Sequence, residues 1–152
     1  MTTCVRYLSF LLISLNISCS SGINSQDDCD ELKTVSVDML QRNGFTNFQL
    51  QNIEMPKMNK SVNLVINSRA DYEKYVVPAD SLPEIDFNSN TVIGGVKYLP
   101  TCGAFGTQVV NQGCGKIFYS VNLERQDCSA KTHVFYFAII PKTESEIMFN
   151  IN

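Results

Sequence analysis

Histidine is nearly missing from this 152-residue chain, His133 being the lone example, and no Cys-x-x-Cys pair occurs in it. A catalytic histidine works with a nucleophile and an orienting carboxylate, and no motif around His133 supplies either, so no catalytic residue is expected. Without paired cysteine knuckles, a zinc site built from His133, Cys102, Cys114 and Cys128 is not expected either. Basic charge is thin: twelve Lys and Arg stand against fifteen Asp and Glu. With no basic stripe to neutralise phosphates, nucleic acid is not an expected partner. Gly94-Gly95 lies inside a strand pattern and opens no helix ending in Lys-Ser or Lys-Thr, so it is not a phosphate cradle; it fits a bulge or a close backbone approach. Asp71, Glu73, Asp80, Glu84 and Asp86 cluster without the spacing of a calcium loop and read as solvated loop. No metal or cofactor is expected. No apolar run reaches the roughly 20 residues of a membrane-spanning helix.

What the chain does have begins at residue 1. Arg6, a largely apolar stretch over residues 7–17 and Ser18 before Cys19 form an export signal, about half the length of a membrane span, ending at a cysteine that can accept lipid. Asn16 stands where a lipobox usually has leucine, and Leu15 lies one residue early. Such relaxed boxes, followed by Ser20-Ser21 and the acidic Ser25-Gln26-Asp27-Asp28, resemble those of Bacteroidetes lipoproteins sent to the cell surface. That resemblance implies lipidation at Cys19 and a place in the cell envelope, at the outer membrane; without the lipid the chain is secreted. A three-chain lipid gains roughly 0.8 kcal/mol per buried methylene and holds firmly.

Residues 19–30 are polar and small and read as a flexible tether. Residues 31–152 suffice for one globular domain. Within it, Leu32, Val35, Val37 and Leu40 line one side of a short element, and Arg42-Asn43-Gly44 is a turn signal. Phe45, Phe48, Leu50 and Ile53 suggest an outer strand before Pro56. Alternation over residues 61–67 predicts a strand. Ser68 with Asp71 predicts a capped helix over residues 69–76, stopped by Pro78. Residues 78–90 are loop, with Ile85 and Phe87 pinning it to the core. Five β-rich runs follow, over residues 91–99, 105–110, 116–123, 132–140 and 146–151, with Gly103, Gly106, Gly113 and Gly115 punctuating turns between them. Short strands with short connections predict an antiparallel meander. The run Val134-Phe135-Tyr136-Phe137-Ala138-Ile139-Ile140 is apolar throughout, which suggests a central strand covered on both faces. The fold class is α+β, mainly β, with one short helix packed near the sheet.

Four cysteines remain beyond Cys19, and an even number in an exported chain predicts two disulfides. If successive strands alternate in direction, Cys102 and Cys128 lie at one end of the sheet and Cys114 at the other. The expected pairs are Cys102–Cys128 and Cys29–Cys114; a β-bulge or longer loop would be needed to join Cys102 to Cys114.

Three pieces of the chain, Ile66-Asn67-Ser68 leading to Tyr72 and Tyr75, Ile85-Asp86-Phe87-Asn88 before Thr91-Val92-Ile93-Gly94-Gly95, and Phe135 through Lys142, resemble bacterial envelope domains related to the C-terminal domain of PrcB, a protease-complex accessory subunit. The resemblance implies a domain that binds and stabilises a partner protease without catalysis of its own. Where that family has a compact Thr-Gly-Gly-Tyr element, this chain has Leu99 to Gly106 rebuilt around a cysteine, implying a different specificity. The expectation is a non-enzymatic envelope binding module with a protein partner. Its contacts are placed on Thr101, Gly103, Ala104, Phe105, Gln126 and Asp127, in two loops at one end of the sheet. The alternatives are an enzyme or small-ligand carrier with a site assembled around His133, and a purely structural surface lipoprotein.

Overall fold

A computed structural model of the chain describes residues 32–35, 49–77 and 82–152. Along these residues the elements are β1 (Lys33–Thr34), β2 (Gln49–Leu50), β3 (Ser61–Ile66), α1 (Arg69–Tyr75), β4 (Val76–Val77), β5 (Asn90–Leu99), β6 (Gly103–Gly113), β7 (Lys116–Arg125), β8 (Thr132–Pro141) and β9 (Glu146–Ile151). The domain is mostly β with one short helix, and the alternating and β-branched runs form strands where that pattern places them. The signal, Cys19, the tether and residues 36–48 with their apolar positions lie outside the described residues.

α1 starts where its cap chemistry dictates. Ser68 is extended, and its Oγ accepts from the Asp71 amide at 3.1 Å. The helix ends at Tyr75, before Pro78, because the β-branched Val76 and Val77 turn extended and pair with β2. Ile85 is buried and Phe87 packs on the same apolar cluster, so the loop after β4 is pinned as its composition suggests.

The strand order corrects the single meander. β5 and β6 are joined by only Pro100 to Cys102 yet belong to different sheets: one has the order β3-β5-β8, the other β1-β6-β7-β9. Pairing is antiparallel except for β9, which lies parallel to β7. β5, not β8, is the central strand of its sheet. β8 is covered on both faces, and its parity shows how. Val134, Tyr136, Ala138 and Ile140 point between the two sheets, whereas Phe135, Phe137 and Ile139 point to the layer made by α1, β2, β4 and the loop carrying Ile85. A run apolar at every position follows from those two opposing layers.

Gly94 and Gly95 continue the β5 ladder without a register shift, so they are not a bulge. They permit a close approach. Gly94 is paired with Phe137 and Gly95 with Tyr136, and a Cβ on either would run into the ring of its partner, on opposite faces of the sheet. Gly103, Gly106 and Gly113 lie inside β6 rather than in turns. The β6–β7 hairpin closes through Cys114 and Gly115, both at positive φ (54° and 68°), the backbone that a two-residue type I′ turn requires.

Candidate functional site

Two connections cross from one sheet to the other at the same end of the molecule. Leu99 pairs with Thr132 at the end of one sheet, and Gly103 pairs with Arg125 at the end of the other. The crossings through Pro100–Cys102 and through residues 126–131 must therefore run side by side. A Cys102–Cys128 disulfide staples them, with Cα atoms 5.4 Å apart. The Gln126 amide also donates to the Cys102 carbonyl at 2.9 Å, and the Cys128 amide to the Gln126 carbonyl at 2.9 Å. The expected pairing thus survives the change in strand order, because it depended only on strand direction. Cys114 is disulfide-bonded as well; Cys29, expected as its partner, lies outside the described residues.

The six expected contact residues are brought together here, but they are not equivalent. Gln126 and Asp127 are exposed, and Thr101 is half-buried. Phe105 packs against the inter-sheet core, and a Cβ on Gly103 would meet the Leu99 side chain, so both support the loop from beneath. Around them stand exposed charges of both signs, Glu124, Arg125, Asp127 and Lys131.

A third piece of this end escaped the sequence reading. The Tyr98 amide donates to the Lys60 carbonyl at 3.0 Å, which sets the turn Lys57-Met58-Asn59-Lys60 beside the last residues of β5. Met58 and Asn59 both adopt positive φ, 55° and 60°, and the Met58 side chain is 86% exposed. An unbranched apolar side chain held in left-handed backbone and pushed into solvent is uncommon, and such positions concentrate where chains make contacts. The signal available was Asn59, a residue that tolerates this backbone; no glycine marks the turn.

His133 is occupied structurally. Its Nε2 lies 3.1 Å from the Pro56 carbonyl, and its ring meets Tyr98 edge-on at 5.4 Å between centroids, fastening the segment before β3 to the sheet. Among the described residues no three His, Cys, Asp or Glu side chains converge. Of the clustered carboxylates, Asp71 serves the helix cap, Glu73 pairs with Arg69 at 2.6 Å, and Asp86 closes its own turn by accepting from the Asn88 amide and the Ser89 hydroxyl. The Ser89 hydrogen bond, with the Asn88 amide, holds the Asp86 carboxyl below its usual range. Asp80 lies outside the described residues. An open groove of about 1020 Å³ runs along Arg69, Leu82 and residues 84–88, away from His133.

Comparison with known proteins returns no matching family model, no matching curated protein and no matching solved structure. The site is therefore defined by its own geometry.

Proposed function

We propose that this chain is a non-enzymatic binding module of the cell envelope, anchored by lipid at Cys19, that grips a protein partner with its disulfide-stapled end. A partner protease, stabilised or restrained by the contact, is the candidate that the likeness to PrcB-type domains suggests. The observation that carries the reading is the staple itself. Cross-linking two adjacent crossings removes loop freedom before any partner arrives, which lowers the ordering cost of binding. The exposed Met58 on a strained turn supplies an adaptable apolar anchor beside the polar Thr101, Gln126 and Asp127.

Capture of partners from native envelopes on the tagged full-length chain tests this. One envelope protein is expected to be enriched by the native chain and lost with Met58→Asp combined with Gln126→Ala and Asp127→Ala, at unchanged thermal stability. Equal recovery by both forms, or recovery of nothing above background, would refute the stapled end as the contact surface.

A further inference from the structure

A sheet that ends in a free strand must protect that strand from pairing with another chain, and among the described residues the two larger sheets protect three of their four edge strands, β8, β1 and β9. The outer edge of β8 is covered where Gln108 Nε2 donates to the Phe137 carbonyl at 3.1 Å. β1 is two residues long. On β9, the Asn152 amide donates to Val121 and the Asn152 carbonyl accepts from Leu123, so the backbone groups of Ile147, Phe149 and Ile151 point away from β7. There Lys97 reaches across from β5 to donate its ammonium to the Ile151 carbonyl, and Glu146 adds a charge.

Among the described residues β3 has none of these devices. Its six residues, Ser-Val-Asn-Leu-Val-Ile, include no charge and no proline, and its register with β5 runs from Ser61–Lys97 to Ile66–Val92 without a bulge. Because the Tyr98 amide donates to the Lys60 carbonyl, positions 60, 62, 64 and 66 face β5 with their backbone groups. Ser61, Asn63 and Val65 therefore turn their N–H and C=O groups outward. All three are exposed, Val65 by 46%.

We propose that β3 pairs antiparallel with β3 of a second copy of this chain, about a two-fold axis through Asn63. This register places Asn63 opposite itself and Ser61 opposite Val65 of the other copy. Every outward N–H and C=O of the three residues then finds a partner, two hydrogen bonds for each of three facing pairs. On the helix side, Val62 faces Leu64 of the other copy, so the half-buried apolar row continues across the joint into a six-stranded sheet. Self-pairing sets no like charges against each other, because β3 carries none. Shifting the register by two residues would leave a pair of outward groups unmet on each strand, which selects the Asn63-centred arrangement. An edge contact of this size is weak, with a dissociation constant on the order of micromolar or above.

Sedimentation of the full-length chain, over on the order of 1–100 µM, tests this together with oxidative cross-linking. A dimer is expected. Ser61→Lys with Val65→Lys, which sets like charges face to face, is expected to raise the dissociation constant about tenfold or more. Ser61→Lys with Val65→Glu, which sets opposite charges face to face, is expected to restore it. The cysteine pair Ser61→Cys with Val65→Cys is expected to form a covalent dimer, whereas Val65→Cys alone does not. A chain that stays monomeric throughout, a dimer indifferent to the lysine pair, or equal cross-linking by Val65→Cys alone would overturn the proposal; so would binding of β3 to a different protein in place of its own copy.

Discussion

The two faces of the β3-β5-β8 sheet bury tyrosines under opposite terms. In the layer between the sheets, Tyr119 donates its hydroxyl to Gln108 Oε1 at 2.6 Å, and Tyr136 donates to Asn63 Oδ1 at 2.5 Å. In the layer under α1, Tyr72 is fully buried and its hydroxyl has no hydrogen-bond partner among the described residues. Burial raises the pKa of all three hydroxyls, that of Tyr72 to about 12. The difference is one of neighbours. Strands of one sheet hold a polar side chain beside each of these tyrosines at fixed register, Gln108 on β6 for Tyr119 on β7 and the exposed Asn63 on β3 for Tyr136 on β8. A seven-residue helix over a sheet brings mainly aliphatic and aromatic groups, among them Phe87 with its ring 5.7 Å from Tyr72.

The largest effect tests the surface the two layers share. Gly95→Val would drive a branched side chain into the Tyr136 ring and the Val62 carbonyl, and Gly94→Val would do the same to Phe137 on the other face. Each is expected to cost about 3 kcal/mol or more, read as a lowered denaturation midpoint. Equal tolerance of both would mean that neither ring lies where described.

A smaller effect breaks the inter-sheet network. Gln108→Leu strips partners from the Tyr119 hydroxyl and the Phe137 carbonyl together and is expected to cost about 2 kcal/mol, whereas Gln108→Leu with Tyr119→Phe should recover part of that loss. Denaturant titration of the single and double variants decides it.

The smallest effect is the most diagnostic, because its sign changes between layers. Tyr119→Phe should destabilise by about 1 kcal/mol, while Tyr72→Phe should be neutral or slightly stabilising, since the hydroxyl it removes bonds to none of the described residues. Alkaline titration sharpens the same contrast. A tyrosine whose folded ionisation lies above its unfolded value of about 10 contributes stability below that pH and loses it as pH rises toward the folded value. Tyr72→Phe should therefore delay alkaline unfolding between about pH 10 and 12. An unchanged alkaline midpoint would show that Tyr72 is solvated.

How much of this was legible depends on what periodicity can encode. The strands from Asn90 onward, the Ser68 cap and the Ile85 pin were readable because each is local. Cys102–Cys128 was readable because it needs only alternating strand direction. The strand order was not. An apolar run such as Val134 to Ile140 reports that both faces of a strand are covered, and says nothing of how many hydrogen-bonded neighbours flank it. β8 is thus covered above and below and is still an edge. The parallel placement of β9 was hidden for a similar reason, since inward and outward side chains alternate alike in either direction. At the candidate site, the two stapled loops were visible and the Met58 turn was not, because no glycine announces its backbone. Gln108, alone among Val109, Val110 and Phe105, was the overlooked polar signal in the core.

Nesting of one hairpin inside another pairing has a kinetic corollary. β5 and β8 are separated in sequence by residues 100–131, and β6 and β7, already zipped through the tight Cys114-Gly115 reversal, occupy most of that interval. Once the inner ribbon has closed, Leu99 and Thr132 are separated by two short tails instead of a long floppy segment, and the entropy of bringing them together falls accordingly. Assembly from the inside outward is the order this nesting favours, with the chemical cross-bridge expected to lock the last step after the ribbon has drawn its ends together.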